Sequence, residues 1–399
     1  MAAAVKTLIS GVFVILFCLL FGFCQSLFRG DTFKRQVTME LNPGSTGPHL
    51  GVNLLHIRAV GRNDTLHFLF CNQGAPTLLL VHTNVSSSIV TVNWTLFLAR
   101  NTSGSLKIEP ESSVLYSTAV VFSRLWEYND LNDTADPTSG FFPPYELQDF
   151  IWSPLNLSDM TALLCGANAT SISGSICFQL SVFEMGGRGL SWPHLLHTAN
   201  SSQVKVWLDG MLPRANNSRF LLELQAVSES YPLSRVEVHQ SIDDEYTPSV
   251  FKVFQWVSAP NSISDILGFV QWKPVAYRHS NPSLEDAMPC RHSDPHPQNS
   301  EAMAASSGVI RAFYSQLKPF GLNVSFGLAG DPFYINTKFL SWTVLVGIGS
   351  PPTDSFSPVV ITIMAIGLGT PLVLVLLGGM WVCMRKRTME STMTYEPIN

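Results

Sequence analysis

The 399-residue sequence predicts an all-β region, two packed antiparallel β-sandwich-like domains, followed by one C-terminal transmembrane helix. Three observations carry this prediction. Short apolar runs alternate with polar residues and are separated by stretches rich in Gly, Pro, Asn and Ser. A run of 26 residues, Val359 to Met384, contains no charge. The composition is 46% hydrophobic and only 13% charged, about half the share of charge usual in a soluble protein. That balance argues against a plain cytosolic enzyme. The formal net charge is −5, and no block of Lys or Arg is long enough to neutralise a run of phosphates, which argues against a nucleic-acid partner.

The first element is the apolar run Leu8 to Phe23, which follows Lys6 and ends in Gly22-Phe23-Cys24-Gln25. It is shorter than the ~20 residues a membrane span needs, and its small residues suit a cut before Gln25. Residues 1–24 therefore read as a signal peptide.

Strands come next. In Ile89–Arg100, Val90, Val92, Trp94, Leu96 and Leu98 alternate with Thr91, Asn93, Thr95, Phe97 and Ala99, the period of a half-buried strand. The same alternation places Phe178, Leu180 and Val182, and Phe220, Leu222, Leu224 and Ala226, on core faces. Further strand candidates are 67–70, 78–82, 114–122, 204–208, 235–239, 251–257, 269–277, 322–326 and 339–348. Many short strands at this spacing indicate antiparallel sandwiches. Some 330 residues exceed the usual size of one sandwich, so residues 25–210 and 211–350 are expected as two domains joined near Asn200–Asn217. One helix is expected at Ser300–Leu317, a loop at 282–299, and a short stalk at 351–358.

The apolar run 359–384 is long enough to cross a ~30 Å hydrocarbon core. The basic triplet Arg385-Lys386-Arg387 belongs on the cytosolic side. The chain is thus expected as a type I protein, with residues 25 to about 357 luminal or extracellular and 385–399 as a cytosolic tail.

Of seven cysteines, Cys71, Cys165, Cys177 and Cys290 fall in the outer region. An even number in an oxidising compartment fits two disulfides, for which three pairings exist. The segment between Cys165 and Cys177 contains Gly166 and Gly174 and has the character of a hairpin loop. That favours Cys165–Cys177 and leaves Cys71–Cys290 as a long-range staple.

The most specific compositional signal is the glycosylation sequon. Asn-x-Ser/Thr occurs at Asn63, Asn84, Asn93, Asn101, Asn132, Asn156, Asn168, Asn200, Asn216 and Asn323. Chance would give about three or four. Ten imply a surface covered by bulky, hydrated sugar that hinders proteases. None lies in 217–322, so part of that stretch is expected to stay bare for a partner.

There is no Gly-x-Ser-x-Gly elbow, P-loop or His-Glu-x-x-His. His194 with His197, and His292 with His296, have metal-like spacings, but no third ligand is marked. Gly186-Gly187-Arg188-Gly189 reads as a hairpin turn rather than a phosphate cradle, and Asp243-Asp244-Glu245 as a solvated acidic turn. No cofactor and no metal is expected. All ten histidines lie between His49 and His296, so the charge of the region is expected to change between pH 7 and 5.

The tail ends Tyr395-Glu396-Pro397-Ile398-Asn399. A Tyr-x-x-apolar motif binds a clathrin adaptor as an extended strand, with Tyr395 and Ile398 in separate pockets. On a short tail below a heavily glycosylated region, it addresses the protein to lysosomes.

Taken whole, the chain resembles a known family. A signal peptide, about 330 outer residues with ten sequons and four cysteines, one span and a tail ending YEPIN look like the glycosylated lysosomal membrane protein family, and the stretch Ser241–Phe251 (SIDDEYTPSVF) looks like it too. The resemblance implies a lysosomal type I protein without catalysis of its own. It further implies an accessory subunit of a major-facilitator dipeptide transporter, shielding that carrier from luminal proteases. Two rival classes are a lysosomal hydrolase with an unrecognised site and a cell-surface adhesion or receptor protein.

Overall fold

The computed structural model describes residues 33–47, 51–99, 102–168, 174–240, 250–258, 266–353 and 358–390. The signal-peptide stretch, Asn101, the acidic run Asp243–Glu245, residues 354–357 of the stalk, and Tyr395 and Ile398 lie outside the described residues.

Phe33–Asp354 forms one compact unit built almost wholly of antiparallel strands. One sheet runs in the order Gln36–Leu41, Leu54–Val60, Thr65–Cys71, Thr77–Thr83, Val114–Asn129, Ser218–Ser228 and Phe320–Phe326. The other runs Thr161–Asn168, Ser175–Val182, Ser201–Asp209, Phe339–Ile348, Gly268–Trp272, Lys252–Ser258 and Arg235–Gln240. The strand Ala287–His292 pairs with Phe320–Phe326 on one side and Val275–Tyr277 on the other, and so ties the two sheets together.

The core lies between them. Phe122 of the first sheet meets Phe178 of the second at 4.9 Å between ring centroids, and Trp152 packs edge-on against the same Phe178. Phe326 and Trp342 close the far end. Every residue of Ser218–Ser228 is buried. That strand therefore contacts structure on both faces, which explains why Leu221 and Val227 are as apolar as the Phe220, Leu222, Leu224 and Ala226 set.

The all-β expectation and its core faces hold: Phe178 and Leu180 are fully buried and Val182 is 4% exposed. The boundary near residues 200–217 does not separate two domains. Val114–Asn129 pairs with Ser218–Ser228, and Ser201–Asp209 pairs with Phe339–Ile348. The segment 210–217 is thus a loop between two sheets that share strands from both halves of the chain.

Three local expectations are corrected. Ile89–Arg100 is not one strand; it is the short strand Ile89–Val92 followed by a helical turn, Trp94–Phe97. The Asn93 side chain accepts a hydrogen bond from the Leu96 N–H at 3.2 Å, an N-cap that offers the backbone an alternative to the ladder. Ser300–Leu317 is two short helices, Ser300–Ser306 and Gly308–Phe313, interrupted where Ser307 becomes extended and caps the second. In the expected stalk, Pro351 and Pro352 are buried, so they belong to the β unit.

Cys165 and Cys177 stand directly opposite each other in paired strands and are joined by a disulfide. Gly166 lies in the strand, opposite Ile176, rather than in the turn, and the position takes glycine because a Cβ there would meet the Trp152 ring at 2.4 Å. The expected Cys71–Cys290 bridge is not formed. Cys71 ends a strand between Leu54 and Thr77, and its sulfur accepts from the Gln73 N–H. Cys290 is held in the connecting strand with its thiol towards the Lys273 carbonyl. Both thiols are buried, which pushes Cys71 up to about 12 and Cys290 higher still.

The second described unit is the helix Pro358–Glu390, whose apolar stretch Ile366–Lys386 has the length and composition to cross a membrane. It agrees with the span placed at 359–384.

Non-reducing peptide mapping should therefore return Cys165–Cys177 as a crosslinked pair, with Cys71 and Cys290 alkylated only after unfolding. Replacing Cys165 and Cys177 with serine should lower stability by about 3 kcal/mol, the chain-entropy value for a loop of this size. A Cys71–Cys290 peptide would overturn the described thiol state.

Candidate functional site

The sequons are the residues most marked by the sequence, and the fold sorts them by position. Asn63 sits in the turn between Leu54–Val60 and Thr65–Cys71, and Asn84 just after Thr77–Thr83; both are exposed. Asn93 caps a helical turn through its amide oxygen, which leaves the nitrogen, the glycan-bearing atom, outside that bond. Asn132 and Asn216 lie in loops and Asn156 in the edge strand Asn156–Ser158, all exposed. Asn168 ends the Thr161–Asn168 strand. Two sequons differ. Asn200 is half-buried, with its Oδ1 accepting from Arg35 Nε at 2.8 Å. Asn323 is half-buried in the middle of Phe320–Phe326.

The loops that carry these sequons are pinned by buried charged side chains. Glu127, fully buried, accepts from the Arg214 N–H, the Ser218 hydroxyl and the Tyr145 hydroxyl, fixing the loop before Ser218 that carries Asn216. Asp130 accepts from the Thr134 and Ala135 N–H groups and from Arg219 Nε. Arg219 also reaches Asp133, so the loop bearing Asn132 is held from both sides. Burial opposes ionisation of Asp130, yet these donors outweigh it and hold the carboxyl below its usual range. At the start of the unit Arg35, 2% exposed, binds both oxygens of Asp64, which also accepts from His82. Burial again works against Asp64, and Arg35 and His82 bring it below the ordinary carboxylate value.

None of these anchoring residues was named from the sequence. A signal existed: Glu127 stands inside RLWEYN and Arg219 and Glu223 inside SRFLLELQAVS, charges in otherwise apolar strands that are buried only when paired.

The residue pairs weighed for metal do not converge. His194 donates to the Gly189 carbonyl, while His197 stacks on Phe183. His292 Nδ1 bonds the Ser293 carbonyl, and His296 Nε2 contacts the Gln298 amide. Among the described residues no group of three or more metal-ligating side chains assembles. Gly187–Arg188 is one arm of a small hairpin with Leu196–His197.

Buried imidazoles modify the expected pH response. His56 Nε2 lies 3.0 Å from His67 Nδ1, their rings stacked, and His67 Nε2 lies 2.8 Å from Ser88 Oγ. Burial, with Arg58 nearby, lowers His56 to about 4. Burial, His56 and Arg58 together lower His67 to about 3. Burial also lowers His197 to about 4. These three stay neutral in a mildly acidic compartment.

Among the described residues the chain combines a β unit with exposed sequons, the Cys165–Cys177 disulfide and an apolar helix. A family model described as glycosylated lysosomal membrane protein matches residues 53–389. The chain belongs to this family. A Danio rerio glycosylated lysosomal membrane protein is 55% identical over 388 residues, covering 94% of each chain. Those of Mus musculus and Homo sapiens are 38% and 37% identical, each covering 92% of this chain and 91% of the relative. The relatives are named as membrane glycoproteins of the lysosome, and the one long apolar helix among the described residues fits a single-pass member.

The sign of the pH dependence follows from the lowered imidazoles. Between about pH 6.5 and 4 the unfolded chain takes up protons that the folded one refuses, so stability falls as pH drops through that window. At pH 5 a histidine held near 4 costs about 2 kcal/mol relative to pH 7. His197→Phe should flatten the pH 5 to 7 stability difference by about 1–2 kcal/mol, measured by denaturant melts at both pH values. An unchanged difference would show that His197 protonates within the fold.

Proposed function

We propose that the β unit faces the lysosomal lumen and serves as a sugar-coated, non-enzymatic shield for a membrane partner, with the C-terminus in the cytosol. The observation that carries this reading is the placement of the sequons. Six of them, Asn63, Asn84, Asn93, Asn132, Asn156 and Asn216, are exposed, five on turns or loops and Asn156 on an edge strand. N-linked glycans are added on the luminal side, so these acceptors and the basic Arg385-Lys386-Arg387 triplet favour the same orientation. Sugar on loops acts where proteases cut, since loops and exposed tips are the usual sites of nicking.

The partner in this proposal is a major-facilitator transporter of dipeptides, taken from the family resemblance, and the tail is the address. Tyr395 and Ile398 would engage a clathrin adaptor. The stretch 217–322 contributes the bare surface, although Ser218–Ser228 within it is core; among its described residues Arg235–Gln240 is one of the more exposed parts.

Two measurements test this. Tyr395→Ala should shift steady-state protein from lysosomes to the cell surface, read by surface labelling in cells lacking the partner; unchanged lysosomal staining would remove the tail as the address. Removing the six exposed sequons together should shorten the lifetime of the co-purifying transporter several-fold, and protease inhibitors should restore it. A transporter lifetime indifferent to these sugars would sink the shielding role.

A further inference from the structure

An open groove of about 600 Å³ lies on the outer face of the first sheet. Its floor is built from cross-strand neighbours. Trp126 stands opposite Leu221, which stands opposite Ser325, which stands opposite Arg291. One rung away, Arg124 faces Glu223 and Glu223 faces Asn323. The Glu223 carboxylate is held by the Ser123 hydroxyl, Trp126 Nε1 and the Gln225 amide. One wall is the loop carrying Asp136, Pro137 and Phe141, whose ring meets Trp126 edge-on at 5.6 Å. His292, Ser293 and His296 form the opposite wall.

Both defining residues of one sequon, Asn323 and Ser325, line this groove. The Asn323 Oδ1 is buried and makes no hydrogen bond within the protein. The Asn323 side chain is half-buried and lines the groove, so its amide is the acceptor set into the groove floor.

We propose that the N-linked glycan of Asn323 folds into this groove, its first N-acetylglucosamine residues lying along Trp126 and Phe141. Attachment precedes folding, so the position of Asn323 in mid-strand does not prevent it. Once the strand has paired, sugar on the groove floor has to leave along the groove. Trp126 is two strands away and two residues along, ~12 Å from Asn323 by sheet spacing, a distance two linked pyranose rings span. The apolar face of a pyranose packs on aromatic rings, as other amphipathic groups do. The remaining polar groups are of mixed sign, Asp136 and Glu223 against Arg291, which suits neutral hydroxyl and acetamido groups better than an ion. Phe141 is 42% exposed without such a cover.

This proposal rests on the luminal orientation of the β unit, and one experiment separates the two. The full-length protein, purified from cells in mild detergent, is digested under native conditions with a glycan-releasing amidase, and each sequon is followed by mass spectrometry. The expected result is occupancy at Asn323 with release roughly tenfold slower than at Asn63, the protection of a packed group against a free one. Phe141→Ala, at an exposed ring, should bring the two rates to within about twofold. No glycan at Asn63 or Asn323 would overturn the orientation and with it this proposal. Glycan at Asn63 but none at Asn323, equal release in the unaltered protein, or protection that survives Phe141→Ala would each overturn the groove assignment alone.

Discussion

The strand Phe339–Ile348 is the last β structure before the apolar helix, and it is inserted between Ser201–Asp209 and Gly268–Trp272 rather than added at an edge. Until it arrives, Ser201–Asp209 lacks one neighbour and the second sheet is split in two. Its side chains Leu340, Trp342, Val344 and Val346 then complete the core that Phe178 and Phe122 begin. Folding of the β unit thus waits for nearly the whole chain, and a topology dominated by such distant pairings is slow to form. That delay keeps the acceptor asparagines that lie in strands, Asn156 and Asn323, outside paired structure until the sheets close.

The same central ladder decides where charge can go. Val114–Asn129 and Ser218–Ser228 bury Glu127, Arg219 and Glu223 within otherwise apolar strands, and each is held by several donors or acceptors. An unpaired ion there would cost several kcal/mol. The pairs are therefore clamps: they hold the loops that carry Asn132 and Asn216 against a core that does not move. The carboxylates of Asp64, paired with Arg35, and Asp130, paired with Arg219, suit an acidic compartment, since both titrate below the ordinary range and lose their stabilising charge only as pH falls below about 4. The neutral imidazoles of His56, His67 and His197 act in the opposite direction over pH 6.5 to 4. Stability at acid pH is the balance of the two sets.

How much of this could be read from residues alone depends on whether a feature is local. Period-two patterns located, within two or three residues, Ser175–Val182 and Ser218–Ser228, because burial on a sheet face is written every second residue, and the apolar run Phe339–Ile348 was legible as a strand between turn-rich stretches. The helix Pro358–Glu390 was legible from an uncharged run. The pairing of Cys165 with Cys177 was legible from the loop between them. Non-local features were not: a two-domain division assumed that neighbours in sequence are neighbours in space, whereas the sheets interleave both halves. Asn93 shows the same limit in miniature, since one side-chain hydrogen bond turned an alternating run into a helical turn. Cys71 and Cys290 paired by elimination, and the fold simply gives each thiol a different buried place.

Sugar and sheet edges meet in one further respect. An open edge offers unpaired N–H and C=O groups to any passing strand, and proteins guard against this with charge, short strands or cover. Here the edges are guarded in two ways. Asn156–Ser158, a short outer strand beside Thr161–Asn168, carries an exposed sequon on the edge itself. Arg235–Gln240, at the other end of the same sheet, has no sequon. It carries Arg235 and His239 around Glu237, with Arg235 2.6 Å from the Glu237 carboxylate, and its Val238 is 55% exposed. Charge is a weaker barrier than a branched glycan, because it admits a partner of complementary sign. The two ends of the second sheet therefore differ in kind among the described residues: one presents an exposed acceptor asparagine, Asn156, and the other a short charged strand with Val238 exposed.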